Sequence, residues 1–232
     1  MSSEVSQTSE PPTTGRLFAV IEDLIGRGLY LAWLFFSVSL LLSAVPQIFE
    51  RDTGLMLALE LARTALLLSF TLLCMVLTFM RRPAKQVAAG WQPRVTAIAG
   101  SYAILVVPLL PAAELGVAWT AMAVTVMALG LAASIYSLSW LGRSFSMMAS
   151  ARKLVTAGPY GIVRHPLYAS EGLMMLGVIL ANFSLAAVLV GLVCMALFYM
   201  RMLNEERVLT DAFPEYVDYA RRVPRIVPRF GR

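Results

Sequence analysis

The sequence predicts an all-α integral membrane protein, a bundle of five or six transmembrane helices with a polar pocket at its cytosolic side. Three observations predict it. Of the 232 residues, 59% are hydrophobic and 14% charged, against about 25% charged in an ordinary soluble domain. The apolar residues form runs near the roughly 20 residues that cross a bilayer core of about 30 Å. Basic residues collect in alternate connections between those runs, as the cytosolic loops of a multi-pass protein do.

Residues 1–15 are polar and rich in Ser, Thr and Pro. Such a composition cannot offset the entropy of ordering, which predicts a disordered tail. No basic stretch precedes an early apolar core, so the first span is expected to remain as an anchor rather than act as a signal peptide. The organisation expected is this tail, N-terminal membrane helices over 16–137, and a region over 138–232 that carries the site.

Apolar segments follow at about Leu29–Phe49, Leu55–Met80, Trp91–Leu110, Leu115–Leu141, Tyr168–Ala181 and Leu185–Leu203. The third has Pro108 and Pro111 near its end. The fifth is short for a full span, and Asn182-Phe183-Ser184 reads as a tight turn into the sixth. A hairpin reaching part-way through the bilayer and two full spans both fit this pattern. Arg81, Arg82, Lys85 and Arg94 lie between segments two and three; Arg143, Arg152, Lys153 and Arg164 lie between four and five. Arginines follow segment six, whereas the other connections hold only Arg51. Six crossings with both termini and the polar clusters in the cytosol satisfy this distribution. In a bacterium the membrane would be the inner one.

The net charge of +5 is then explained by arginines beside anionic headgroups. Membrane lipids are the expected surroundings, and no nucleic-acid partner is expected. Cys74 and Cys194 each sit within an apolar run, where a thiol packs as a small hydrophobe. No metal site is expected.

Three ionisable residues fall within the spans: Glu60, Arg63 and Glu171. Such residues are rare in hydrocarbon and face the bundle interior. Glu60 and Arg63 are three apart on one helix and can pair. Glu171 lies one turn after Tyr168.

Two polar clusters remain. In the first, Gly158-Pro159 supplies a turn. Pro166 biases His165 away from helical geometry and suits the first position of a helix. His165 would then stand at a helix N-terminus, a place suited to an anionic group. A plain capped helix entry with interfacial Tyr160 and Tyr168 fits equally well. The second cluster is Asn204-Glu205-Glu206-Arg207, followed by Phe213, Tyr216, Tyr219 and Arg225. A solvated amphipathic helix would also account for it.

Together, Gly158-Pro159-Tyr160, Arg164-His165-Pro166 with Tyr168, Glu205-Glu206 with Leu209, Phe213, Tyr216 and Tyr219, and Arg225 with Pro228 resemble the isoprenylcysteine carboxyl methyltransferase family. Phospholipid methyltransferases share much of this signature. The resemblance covers about residues 138–230. It implies an S-adenosylmethionine-dependent methyltransferase whose cytosolic-side cofactor pocket is built by these two clusters. By position it implies cofactor contacts at Gly158, Tyr160, His165, Pro166, Tyr168 and Glu205, with Tyr216, Tyr219 and Arg225 as part of a lid. Arg164 and Glu206 become the candidates that order the substrate or the cofactor's polar groups. A lipophilic or small-molecule acceptor, carboxylate, amine or thiol, would enter between helices. The spacing His165-Pro-x-Tyr168-x-x-Glu171 also resembles membrane sterol and steroid reductases, which use NADPH. A transporter or scaffold that has kept the fold is the non-enzymatic alternative.

Overall fold

The computed structural model describes residues 13–80, 86–87, 92, 96, 99, 107, 110, 113, 115–141, 150–151 and 154–229. Its helices are α1 (Thr13–Arg51), α2 (Gly54–Met80), α3 (Val117–Leu141), α4 (Pro166–Ala181), α5 (Leu185–Ala212) and α6 (Tyr216–Arg222). A 3-10 turn spans Gly158–Gly161. The architecture is the expected all-α membrane bundle, with one feature the residue pattern did not announce. Two-residue strands, β1 (Gln86–Val87) and β2 (Ser150–Ala151), pair antiparallel, Gln86 opposite Ala151 and Val87 opposite Ser150.

Among the described residues, four helices are long and apolar enough to cross a membrane: α1 from Gly28 on, α2, α3 and α5. The apolar helix α4 has 16 residues, which at 1.5 Å per residue makes it about 24 Å long. The expected third segment, Trp91–Leu110, lies outside the described residues except at scattered positions, as do residues 1–12 of the expected tail. Thr13–Gly15, the end of that tail, already belong to α1. Many large apolar side chains stay exposed, among them Phe35, Phe36, Leu72, Phe79, Leu129, Leu189 and Leu192. On a chain in water such surface would be a liability, and in hydrocarbon it is the expected outer face.

The tightest seam joins α3 to α4. Water exclusion does not drive helices together in lipid, so close backbone approach through small residues does. A Cβ on Gly130 would stand 2.6 Å from the Met174 backbone nitrogen, and one on Gly177 would stand 2.8 Å from the Met127 backbone nitrogen. Gly177 therefore serves this intrachain seam. Ser134 donates to Ser170 across it at 3.0 Å, satisfying two buried hydroxyls.

The far end is fastened by Trp119, whose indole N–H donates to Leu180 O at 2.8 Å and whose ring meets Phe183 edge-on. The Asn182–Ser184 turn forms as read, with Ser184 capping α5 by accepting from Ala187 N at 3.2 Å. Glu60 and Arg63 pair at 3.1 Å as their spacing implies. Cys194 is fully buried against Tyr168, Phe198 and Met202, while the side chain of Cys74 lies outside the described residues. The seam and the turn hold α4 and α5 side by side, so the start of α4 faces the end of α5.

Candidate functional site

The site is assembled where the 3-10 turn, the start of α4, the last turns of α5, and α6 with its following segment converge. Gly158 begins it with φ +61°, a left-handed conformation that glycine adopts without strain. A Cβ there would also enter the Trp140 ring, so the turn lies directly on the end of α3.

His165 is non-helical (φ −125°, ψ 58°), and Pro166 is the first residue of α4. Proline gives up no bond there, since the first amides of a helix have no intrahelical acceptor. The non-helical 164–165 backbone is instead used by the chain's C-terminal segment. Arg164 N donates to Pro224 O at 2.8 Å and His165 N to Arg225 O at 2.9 Å. This two-bond strap closes the C-terminal segment over the start of α4.

Side chains fasten the same strap. Arg225 holds Glu206 as a fork, with Nη2 to Oε2 at 2.7 Å and Nε to Oε1 at 3.0 Å. His165 Nε2 lies 3.1 Å from Glu206 Oε1, and Arg164 Nη1 stands 3.3 Å from the same oxygen. Bidentate guanidinium–carboxylate pairs are among the stronger polar contacts. The anion beside His165, expected from a ligand, is here the chain's own Glu206. Two guanidinium groups facing one carboxylate leave this corner with an excess of positive charge. Hydrogen bonding to Glu206 raises the pKa of Arg225, outweighing its partial desolvation.

Glu205 turns elsewhere, since adjacent helical residues project about 100° apart. It accepts from Tyr168 Oη at 2.7 Å and pairs with Arg201 Nε at 3.5 Å. Arg201 also lies over the Tyr168 ring, 5.3 Å from its centre, a cation–π arrangement. The Tyr168 ring in turn meets His165 and Phe198 edge-on.

Tyr219 donates to Tyr160 O at 2.6 Å, tying α6 to the 3-10 turn, and its ring meets Tyr216 edge-on. Burial pushes the Tyr219 hydroxyl up to about 12, with Arg164 partly opposing. Burial likewise raises the hydroxyl of Tyr160, reinforced by the charges of Glu205 and Glu171. It raises Tyr216 as well, reinforced by Glu206. The hydroxyl oxygens of Tyr160 and Tyr216, and Arg164 Nε, are buried without a hydrogen-bond partner. Tyr216 senses the Arg164 charge but makes no well-formed hydrogen bond to it. Unpaired buried donors are costly unless something meets them.

The candidate site residues named from the sequence, Gly158, Tyr160, Arg164, His165, Pro166, Tyr168, Glu205, Glu206, Tyr216, Tyr219 and Arg225, thus gather in one place. Neither Tyr160 nor Tyr168 is an interfacial aromatic in the plain sense, since both are buried. Glu206 and Asn204 are buried too, so the end of α5 is not a solvated amphipathic helix. Arg201, Tyr199 and Trp140 were not read as site residues. Arg201 carries a usable signal in the sequence, its spacing of four from Glu205. Tyr199 accepts from Arg225 Nη1 at 3.3 Å. Among the described residues no group of three or more His, Cys, Asp or Glu is placed to hold a metal ion.

Comparison with known proteins bears on this region. Residues 118–216 match the family described as phospholipid methyltransferase. The chain is 42% identical over 100 residues to the cobalt-zinc-cadmium resistance protein CzcN of Cupriavidus metallidurans, covering 41% of this chain and 46% of that one. It is 36% identical over 115 residues to the nickel-cobalt-cadmium resistance protein NccN of Alcaligenes xylosoxydans xylosoxydans, covering 48% and 53%. It is 39% identical over 95 residues to protein-S-isoprenylcysteine O-methyltransferase B of Arabidopsis thaliana, covering 38% and 48%. The chain spans about half the length of each of these relatives. The matched stretch holds α3, the 3-10 turn, α4, α5 and the start of α6, so the part of the chain that builds this corner is similar to the phospholipid methyltransferase family.

Proposed function

We propose that the protein is a membrane-embedded, S-adenosylmethionine-dependent methyltransferase acting on a lipophilic or small-molecule acceptor. The observation that carries this reading is the closed corner at Glu206. Arg164 and His165 from the start of α4, and Arg225 from the C-terminal strap, meet on one carboxylate within a methyltransferase-family region.

The residues present fit the donor. Its amine, carboxylate, ribose and adenine call for both donors and acceptors. Tyr160 and Tyr216 offer buried hydroxyls without partners, Arg164 offers a free Nε, and Glu205 offers the carboxylate beside Tyr168. These residues, with His165 and the Gly158 turn, would hold it. When bound, it supplies an electrophilic methyl group on a sulfonium. The chain's part is alignment and exclusion of water. Holding two reactants in line contributes roughly 7–11 kcal/mol, and the strap, α6 and Trp140 close the corner that does so.

We read the basic connections as those of cytosolic loops, which would set this corner and both termini where a water-soluble donor is at hand. The acceptor reaches it between helices from the bilayer. Calorimetric titration of the purified protein in detergent with S-adenosylhomocysteine and, separately, with NADPH tests the reading. Binding of S-adenosylhomocysteine alone supports it. Binding of NADPH alone replaces it with the reductase.

A further inference from the structure

The last turn of α3 touches both ends of the loop that carries Tyr160, Arg164 and His165. At the near end the Trp140 indole covers Gly158, where a Cβ would enter the ring and stand 2.9 Å from Trp140 Cε3. At the far end Leu138, itself buried, packs with Leu167, the second residue of α4. Leu138 and Trp140 lie on one rigid helix, so the spacing of the two anchors is fixed.

The near end needs such a hold. Gly158 has φ +61°, and without a Cβ it populates positive and negative φ about equally well. Pro159 fixes its own φ, which leaves Gly158 as the soft joint behind Tyr160. Ala157, at the cap position, gives the turn no side-chain hydrogen bond. The Tyr219 hydroxyl does hold the Tyr160 carbonyl, but it comes from α6 and secures the turn from the strap's side alone.

The indole is itself met edge-on by Tyr136, one turn back on α3, with ring centres 6.5 Å apart. Burial does not account for Trp140, which is 44% exposed. A tryptophan at the end of a spanning helix ordinarily serves as an interfacial anchor. That role asks nothing of Gly158, whereas this ring lies close enough to exclude any side chain there.

We propose that Trp140 is a positioning residue for the donor pocket. By covering Gly158 it holds the 3-10 turn in the one conformation that presents the unpartnered Tyr160 hydroxyl to a bound ligand. This rests on the methyltransferase reading above. Binding groups have to be held within roughly 0.5 Å of their productive position, and a glycine joint free to change wells would move Tyr160 much farther. Trp140 acts through the turn and does not itself touch the ligand.

The test is a double-mutant cycle on the full chain in detergent, read by calorimetric titration with S-adenosylhomocysteine. Trp140→Leu and Trp140→Met keep apolar bulk without a ring face, so one serves where the other fails to fold. In either, affinity falls roughly tenfold, about the worth of the Tyr160 hydrogen bond. Trp140→Phe keeps a ring over Gly158 and stays within about threefold of wild type. In a Tyr160→Phe background the hydroxyl to be positioned is already gone, so removing the ring costs no more than about twofold. A general loss of structure, or a direct contact between Trp140 and the ligand, gives losses that multiply instead, to roughly a hundredfold for the pair. Multiplying losses, or unchanged affinity in the ringless variants, overturn the assignment of Trp140 alone. A wild type that does not bind S-adenosylhomocysteine overturns the proposed function and this assignment with it.

Discussion

Glu205 and Glu206 are consecutive on α5, yet their carboxylates fasten different parts of the site. Glu205 receives the Tyr168 hydroxyl at 2.7 Å, which fixes the first turn of α4 against α5. Glu206 receives the fork of Arg225 at 2.7–3.1 Å and the ring nitrogen of His165 at 3.1 Å, which fixes the C-terminal strap. One pair of residues thus closes the corner from two sides, and each can be released separately.

Releasing the strap is the sharper of the two perturbations. Glu206→Ala leaves Arg164 and Arg225 facing each other without an anion. Removing one partner of a largely buried pair costs about 3 kcal/mol, and a lowered unfolding temperature in detergent should show it. Arg225→Lys keeps a charge but not the fork, so it should cost less, roughly 1 kcal/mol. Equal unfolding temperatures for wild type and Glu206→Ala would show that the strap is not held this way.

Tyr160→Phe separates binding from folding. The lost hydroxyl has no partner in the protein, so stability should stay the same or rise. If a ligand meets that hydroxyl, S-adenosylhomocysteine affinity should fall roughly tenfold, the worth of one hydrogen bond. Calorimetry and thermal unfolding on one preparation check both halves. Lower stability with unchanged affinity would remove Tyr160 from the pocket.

Tyr219 gives a pH dependence. Its hydroxyl is raised by burial to about 12 while donating to Tyr160 O. A raised acid contributes stability that is present below the unfolded value near 10 and is lost as pH climbs toward about 12. Tyr219→Phe should therefore be less stable than wild type at pH 8 by about 1 kcal/mol. That gap should shrink between about pH 10 and pH 12. A gap independent of pH would mean that the hydroxyl is not the source of the difference.

The α3–α4 seam carries the fourth prediction. In Gly130→Ala and Gly177→Ala the new methyl meets backbone atoms of Met174 or Met127, which cannot swing aside as a side-chain tip can. Each should destabilise by about 1–3 kcal/mol, read as a drop in unfolding temperature. Gly172→Ala is the control, since its Cβ would only reach Met195 Sδ at 3.9 Å. Equal effects at all three glycines would contradict the seam.

Much of this was legible in the residues, for local reasons. Pro166 after His165 announced the start of α4, Asn182–Ser184 announced the turn, and the three-residue spacing of Glu60 and Arg63 announced their pair. Each depends on neighbours within one turn or loop. The membership of the candidate site came from resemblance, and the structure gathers those residues in one corner. Their partners were not legible. Tyr219 and Tyr160 are 59 residues apart, and Glu206 and His165 are 41 apart, so only the packing of α4 against α5 decides that they meet. Arg201 was hidden by its own composition signal, because an arginine near a membrane exit reads first as a marker of orientation. The β1–β2 pairing involves two residues on each side, too few for an alternating pattern.

The central claim is that the methyl donor binds where Tyr160, His165, Glu205 and Glu206 converge. Direct photolabelling of the detergent-purified protein with methyl-labelled S-adenosylmethionine, followed by peptide mapping, addresses it. Label should fall within residues 158–171 or 199–225 and be blocked by S-adenosylhomocysteine. Label confined to α1 and α2, or label that S-adenosylhomocysteine does not block, would contradict it.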